Sequence, residues 1–192
     1  MNYSLEEYAM FMEKTSLFHL ISKKIINNLI DYVLGVEVGL DSNARKNRTG
    51  HLMEDLVEAY LMEAGFERNK NLFKEMYQDE VENKFGVDLS KITNKGKTQK
   101  RFDFVVESKK HIYLIETNFY NSGGSKLNET ARSYKMIASE AMDIPNVSFV
   151  WITDGKGWTS AKKNLYETFE ILPTLYNLND LKNGILKNWK GD

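Results

Sequence analysis

Two stretches of the chain alternate between apolar and polar side chains with a period of two. They are Arg101-Phe102-Asp103-Phe104-Val105-Val106-Glu107 and His111-Ile112-Tyr113-Leu114-Ile115-Glu116-Thr117. The polar turn Ser108-Lys109-Lys110 parts them, so the pattern predicts a hairpin of strands over 101–107 and 111–117. A third run, residues 146–153, is almost wholly apolar, as expected of a strand buried on both faces. Elsewhere the period is helical. Residues 5–34 carry stripes through Tyr8, Phe11, Met12, Ile21, Ile25, Ile26, Leu29 and Ile30. Residues 50–64 carry Met53, Leu56, Val57, Tyr60 and Leu61, with Thr49 as a cap and Gly65 as a stop. Further helices are expected over 125–142, over 160–171 before Pro173, and over 178–189. Residues 35–50 read as a loop, and residues 66–100 as irregular chain. The order of helix, strands, helix, strand and helix predicts an α/β fold, a mixed central β-sheet flanked by helices on both faces.

A chain of 192 residues is expected to be one domain, and 42% hydrophobic content with 12% aromatics supplies a packed core. Cysteine is absent, which excludes disulfides and cysteine-ligated zinc. No run approaches the ~20 apolar residues of a membrane span. The start, MNYSLEEYAM, is too acidic and polar for a signal peptide, so a cytoplasmic location is expected. The net charge of -1 does not bear on an anionic partner. Local charge does: residues 90–102 hold Lys91, Lys95, Lys97, Lys100 and Arg101 without an acid, and Arg45, Lys46 and Arg48 form a second cluster. Such clusters suit an anionic partner or a solvated surface equally.

Within the hairpin, two strand positions are spent on acids. A turn centred between Ser108 and Lys110 sets Asp103 against residue 115 or 116, so Asp103 and Glu116 can converge. Two carboxylates there repel unless a divalent cation lies between them, and Mg²⁺ suits oxygen ligands. The plainer alternative has one acid facing solvent beside a lysine. Glu54, at the edge of the apolar face of its helix, is a candidate third member, although Asp55, Glu58 and Glu63 decorate the same helix as ordinary surface acids. His51 and His111 read as surface or structural residues. In Asn121-Ser122-Gly123-Gly124-Ser125, paired glycines permit close backbone approach, and N–H groups of the helix that follows can meet a phosphate. Lys126, Arg132 and Lys135 add charge there, and Asn128 can bond bases or phosphates. The alternative is a structural helix capped by Ser125.

Taken together, the segments VGLDSNARKNRTGHLMEDLVEAYL, KRFDFVV, YLIETNFYNSGGSKLNETARSYKMIA and WITDGKGW resemble the DpnII/MboI family of type II restriction endonucleases. The resemblance runs from about Asn2 to the C-terminus, and family members are longer at the N-terminus, so the chain is expected to match their C-terminal two-thirds. It implies the restriction-endonuclease-like PD-(D/E)XK fold: a helical N-terminal part over 1–48, an αβββαβ catalytic core over 49–171 and a C-terminal helix over 172–192. It implies Mg²⁺-dependent cleavage of double-stranded DNA at unmethylated GATC by a homodimer, within a restriction-modification system that includes an adenine-N6 methyltransferase. The motif acids fall on Asp103 and Glu116, expected to hold Mg²⁺ with the Thr117 carbonyl and, as in many such folds, Glu54. The position that usually carries lysine falls on Asn118, which is left to orient the attacking water. DNA contacts are expected from Lys100, Arg101, Ser125, Lys126, Asn128, Arg132 and Lys135. A structure-specific or repair nuclease, and an inactive DNA-binding remnant, are the competing readings.

Overall fold

The computed structural model describes residues 4–14, 42–93, 99–109 and 111–190. They fall into two compact units, residues 1–46 and 47–192. In the first, helix α1 (Leu5–Lys14) starts with a reciprocal cap. Glu7 N–H donates to Ser4 Oγ at 3.2 Å, and Ser4 N–H donates to a Glu7 carboxylate oxygen at 2.7 Å. The apolar positions from Ile21 to Ile30 lie outside the described residues.

The second unit is built on a five-stranded sheet in the order β1-β2-β3-β4-β5. The strands are β1 (Leu72–Tyr77), β2 (Arg101–Ser108), β3 (His111–Phe119), β4 (Val147–Asp154) and β5 (Leu175–Tyr176). The pairs β1–β2 and β2–β3 are antiparallel; β3–β4 and β4–β5 are parallel. The helices are α2 (Ser42–Glu63), of which residues 47–63 belong to this unit, α3 (Gln78–Phe85), α4 (Ser125–Ala141), α5 (Lys162–Ile171) and α6 (Leu178–Lys182). Parallel pairing of β3 with β4 requires a crossover, and α4 provides it. On one face of the sheet, Leu127, Ala131, Tyr134 and Ala138 of α4 pack with Phe102, Val105, Leu114, Phe149 and Trp151. On the other, Met53, Val57 and Leu61 of α2 pack with Phe104, Val106, Ile115, Val150 and Ile152. Each fully buried Val, Leu, Ile, Phe or Met among them contributes about 1.5–3 kcal/mol relative to exposure. The predicted mixed α/β architecture is therefore present.

Three local expectations are corrected. Helix α2 begins at Ser42, not at Thr49, so part of the expected 35–50 loop is helical. Ala44, Arg45, Lys46 and Arg48 are good helix formers and carry the helix through Gly50, whose presence costs about 1 kcal/mol. Residues 66–100 are not uniformly irregular, because they contain β1 and α3. The expected helix over 178–189 breaks at Gly184, where φ is 83°, into α6 and a 3₁₀ turn over Ile185–Lys190.

β1 and β2 share an irregularity. Phe102 and Phe104 would point to the same face in a regular strand, yet they lie in opposite cores. The register holds on both sides, Lys74 with Phe104 and Met76 with Phe102, and lapses at Glu75 and Asp103 between them. Glu75 has φ 56°, a left-handed conformation that glutamate rarely adopts. The alternation of both strands slips by one residue at this point, and Asp103 stands in the slip.

Candidate active site

The register that pairs Phe104 with Ile115 would next set Asp103 against Glu116, but the ladder stops there. Thr117 N–H donates instead to Asp103 Oδ2 at 2.7 Å, and the Thr117 hydroxyl donates to the same oxygen at 3.0 Å. Glu116 is buried on the α4 side. Its Oε2 accepts a hydrogen bond from the Tyr134 hydroxyl at 2.8 Å, and Lys100 Nζ lies 2.7 Å from Oε1. Two residues on, Asn118 Oδ1 accepts from Trp151 Nε1 at 3.0 Å. Glu54, on α2, is drawn towards β1 by Lys74, whose Nζ lies 3.5 Å from Glu54 Oε2 and also faces Asp55 and Glu58. His51 Nδ1 is 3.8 Å from Glu54, and His111 Nε2 bonds Ser148 Oγ at 2.8 Å.

Burial pushes the carboxyls of Asp103, Glu116 and Glu54 above the ordinary range. The charge of Asp103 raises both glutamates further, so Asp103 is electrostatically the middle member of the three. Lys100 and Tyr134 pull Glu116 back, as Thr117 does Asp103. The Tyr134 phenol is pushed far above its usual value by burial and by Glu116. Among the described residues, no group of three or more His, Asp or Glu is gathered tightly enough to hold a metal ion. The three acids are instead held by their separate partners. Two buried carboxylate oxygens nevertheless lack a hydrogen bond, Glu54 Oε2 and Glu116 Oε1. Each of these oxygens faces an ammonium instead, Glu54 Oε2 that of Lys74 at 3.5 Å and Glu116 Oε1 that of Lys100 at 2.7 Å, so each is held in an ion pair. A divalent cation seated against Asp103 and Glu116 fits this donor set, because Mg²⁺ keeps several waters and needs few protein ligands.

The residues expected to meet DNA are distributed more widely. Lys100 joins the carboxylates, whereas Arg101 is exposed and lies 3.5 Å from Glu75. Lys91 pairs with Asp143 at 3.1 Å, while Lys95 and Lys97 lie outside the described residues. The side chains of Arg45, Lys46 and Arg48 are likewise outside the description. The N-cap of α4 is Gly124, without a side-chain cap, so Ser125 does not cap the helix. Ser125, Lys126 and Arg132 are exposed. Asn128 and Lys135 are engaged by α5: Asn164 Nδ2 donates to Asn128 Oδ1 at 2.6 Å, and Lys135 lies 3.7 Å from Glu167. The close approach that the paired glycines predict is to the chain itself. A Cβ on Gly123 would meet Ser160 Oγ at 2.2 Å, and one on Gly157 would meet the Ser122 carbonyl oxygen at 2.5 Å. The loop over 121–124 therefore packs on the turn over 155–160, whereas a Cβ on Gly124 would meet open space.

Sequence reasoning missed two supporting residues, Tyr134 and Trp151. Helical spacing places Tyr134 on the buried face of α4 with Leu127, Ala131 and Ala138. A hydroxyl buried there needs a partner, and that need was the available signal.

A model of the family described as DpnII restriction endonuclease matches residues 1–188. The chain is 61% identical over 189 residues to the type II restriction enzyme DpnII of Streptococcus pneumoniae, covering 98% of this chain and 66% of that protein. It is 45% identical to the type II restriction enzyme MjaIII of Methanocaldococcus jannaschii, covering 95% of this chain and 63% of the relative. With the type II restriction enzyme MboI of Moraxella bovis it shares 41% identity, covering 97% and 65% respectively. The chain thus spans just under two-thirds of the length of these curated relatives. No solved structure matches it. By the extent of the family match and the identity of its relatives, this chain belongs to the DpnII restriction endonuclease family.

Proposed function

We propose that the chain carries the catalytic centre of a type II deoxyribonuclease that hydrolyses a phosphodiester in each strand of GATC when its adenine is unmethylated. The observation that carries this reading is the part-buried Asp103 and the buried Glu116 on adjacent strands, with Lys100 against Glu116, in a chain of this family. Asp103 and Glu116 would hold Mg²⁺, with the Thr117 carbonyl as a further ligand and Glu54 behind Asp103. When bound, the ion offsets charge at the scissile phosphate and makes a water nucleophilic near neutral pH. The protein's own residues supply orientation. The N–H and hydroxyl of Thr117 fix the Asp103 carboxylate, and the Tyr134 hydroxyl fixes that of Glu116. Trp151 holds the side-chain oxygen of Asn118, which leaves its side-chain amide N–H groups to orient the attacking water.

Arg101, Ser125, Lys126, Asn128, Arg132 and Lys135 are proposed to contact the DNA. GATC is a palindrome, so two copies related by a two-fold axis would each meet one half-site. The adenine N6 amino group is a donor in the major groove, and a methyl group on it would block a close acceptor. A methyltransferase acting on that nitrogen in the same cytoplasm would protect host DNA. The test is a digest of unmethylated and adenine-methylated plasmid with Mg²⁺, with the ends mapped. Cleavage confined to unmethylated GATC is the expected result. Cleavage without a fixed tetranucleotide indicates a structure-specific or repair nuclease. Binding without cleavage in Mg²⁺ or Mn²⁺ indicates a DNA-binding remnant.

A further inference from the structure

The nuclease reading leaves one positive charge unaccounted for. The motif position ordinarily held by lysine is Asn118, which is neutral, and its side-chain oxygen is committed to Trp151. An ammonium reaches the Glu116 carboxylate from outside that residue's strand. Lys100 immediately precedes β2, and its Nζ lies 2.7 Å from Glu116 Oε1, which is on β3. The position is a built one. Gln78 N–H donates to the Lys100 carbonyl oxygen at 2.9 Å, which fixes where the side chain begins. The ammonium then lies 5.4 Å from the Tyr134 ring centre and 5.8 Å from that of Phe102, and ring faces attract a cation at this range. The other described cations nearby are committed elsewhere or exposed. Lys74 faces Glu54, Asp55 and Glu58; Arg101 faces Glu75; Lys135 faces Glu167; Lys126 is exposed. Among the described residues, Lys100 is the cation in contact with a carboxylate of the Asp103–Glu116 pair.

We infer that Lys100 is the catalytic cation of this site, held against Glu116 in the free protein and transferred to the scissile phosphate in the complex. This inference rests on the nuclease reading. Its physical content is that the charge the motif places on β3 has moved to the residue before β2 and is held against a carboxylate of the pair. Glu116 parks the ammonium until a phosphate competes for it, and the faces of Tyr134 and Phe102 attract it to that position. An ammonium in a partly dry site stabilises charge developing on a phosphate oxygen far more than it would in water.

The test compares the parent with Lys100→Met, Lys100→Gln and the double variant Lys100→Met/Asn118→Lys. Each is measured by single-turnover cleavage of an unmethylated GATC duplex, by binding of that duplex in Ca²⁺, and by thermal unfolding. Both single variants should bind the duplex in Ca²⁺ much as the parent does, with thermal unfolding showing each folded at the assay temperature although its Tm moves with the loss of the counter-ion to Glu116. Their cleavage rates should fall by about 10²–10³-fold, the loss typical of removing one group that stabilises developing charge. The double variant returns the ammonium to its usual strand and should regain about tenfold or more of that loss. Single variants that cleave at nearly the parent rate overturn the inference, while the parent's own activity leaves the nuclease reading standing. Loss of Ca²⁺-supported binding in step with cleavage also overturns it, making Lys100 a structural counter-ion to Glu116. A parent that cleaves no duplex overturns the nuclease reading, and this inference with it.

Discussion

A carboxyl buried as deeply as that of Glu116 must be neutral or paired, and here it is paired on both sides, by Tyr134 and by Lys100. Asp103 is satisfied differently, by two donors from the single residue Thr117. The difference makes Asp103 the cleaner site for a thermodynamic test, because an asparagine oxygen can accept both of those hydrogen bonds. Burial raises the pKa of Asp103 in the folded state, and Asp103 in turn raises Glu54 and Glu116. Above the ordinary carboxylate range the folded protein therefore binds more protons than the unfolded chain. Stability must then fall as pH rises through the raised values. Asp103→Asn removes one such group and relieves two others. In the presence of a chelator it should raise stability at neutral pH by on the order of 1 kcal/mol and flatten its pH dependence. Thermal unfolding from acid to neutral pH checks this, and a variant less stable than the parent at neutral pH contradicts it. Added Mg²⁺ should stabilise the parent more than the variant, since binding to the folded state alone stabilises it.

At the scale of elements, the site hangs on two features of unequal legibility. The β2–β3 hairpin was readable from its alternation, and α4 and β4 from their apolar spacing. The slip in β1 and β2 was not. It depends on a left-handed Glu75, a residue type that carries no such signal, opposite an aspartate whose face the alternation alone misassigns. β1 was itself hidden, because Lys74 and Glu75 interrupt its apolar pattern and Lys74 serves the acids of α2. The contact between Lys100 and Glu116 links residues 16 apart, and no local rule predicts it. On α4 the spacing was legible but the partners were not, so Asn128 and Lys135 turned out to be engaged by α5. Lys126 and Arg132 remain exposed on that helix. If they meet phosphates, Lys126→Ala and Arg132→Ala should each weaken duplex binding. Each should also reduce the slope of log affinity against log salt by about one. An unchanged slope in both variants would make α4 a purely structural crossover.

For the whole molecule, the two sheet faces divide the labour. One core seats α4 and the Glu116 side of the site; the other seats α2 and Glu54; Asp103 stands where β1 and β2 change phase between them. Neither Asp103 nor Glu116 belongs to the apolar packing of either core, so removing either carboxylate should spare the fold. On the proposed function these two residues form the hydrolytic centre of a nuclease. Single-turnover cleavage of an unmethylated GATC duplex in Mg²⁺, by the parent, Asp103→Ala and Glu116→Ala, tests it most directly. Circular dichroism should show each variant folded. The predicted result is a loss of at least the ~10²–10⁴-fold typical of removing a catalytic group. Cleavage by either folded variant within about tenfold of the parent would contradict the claim.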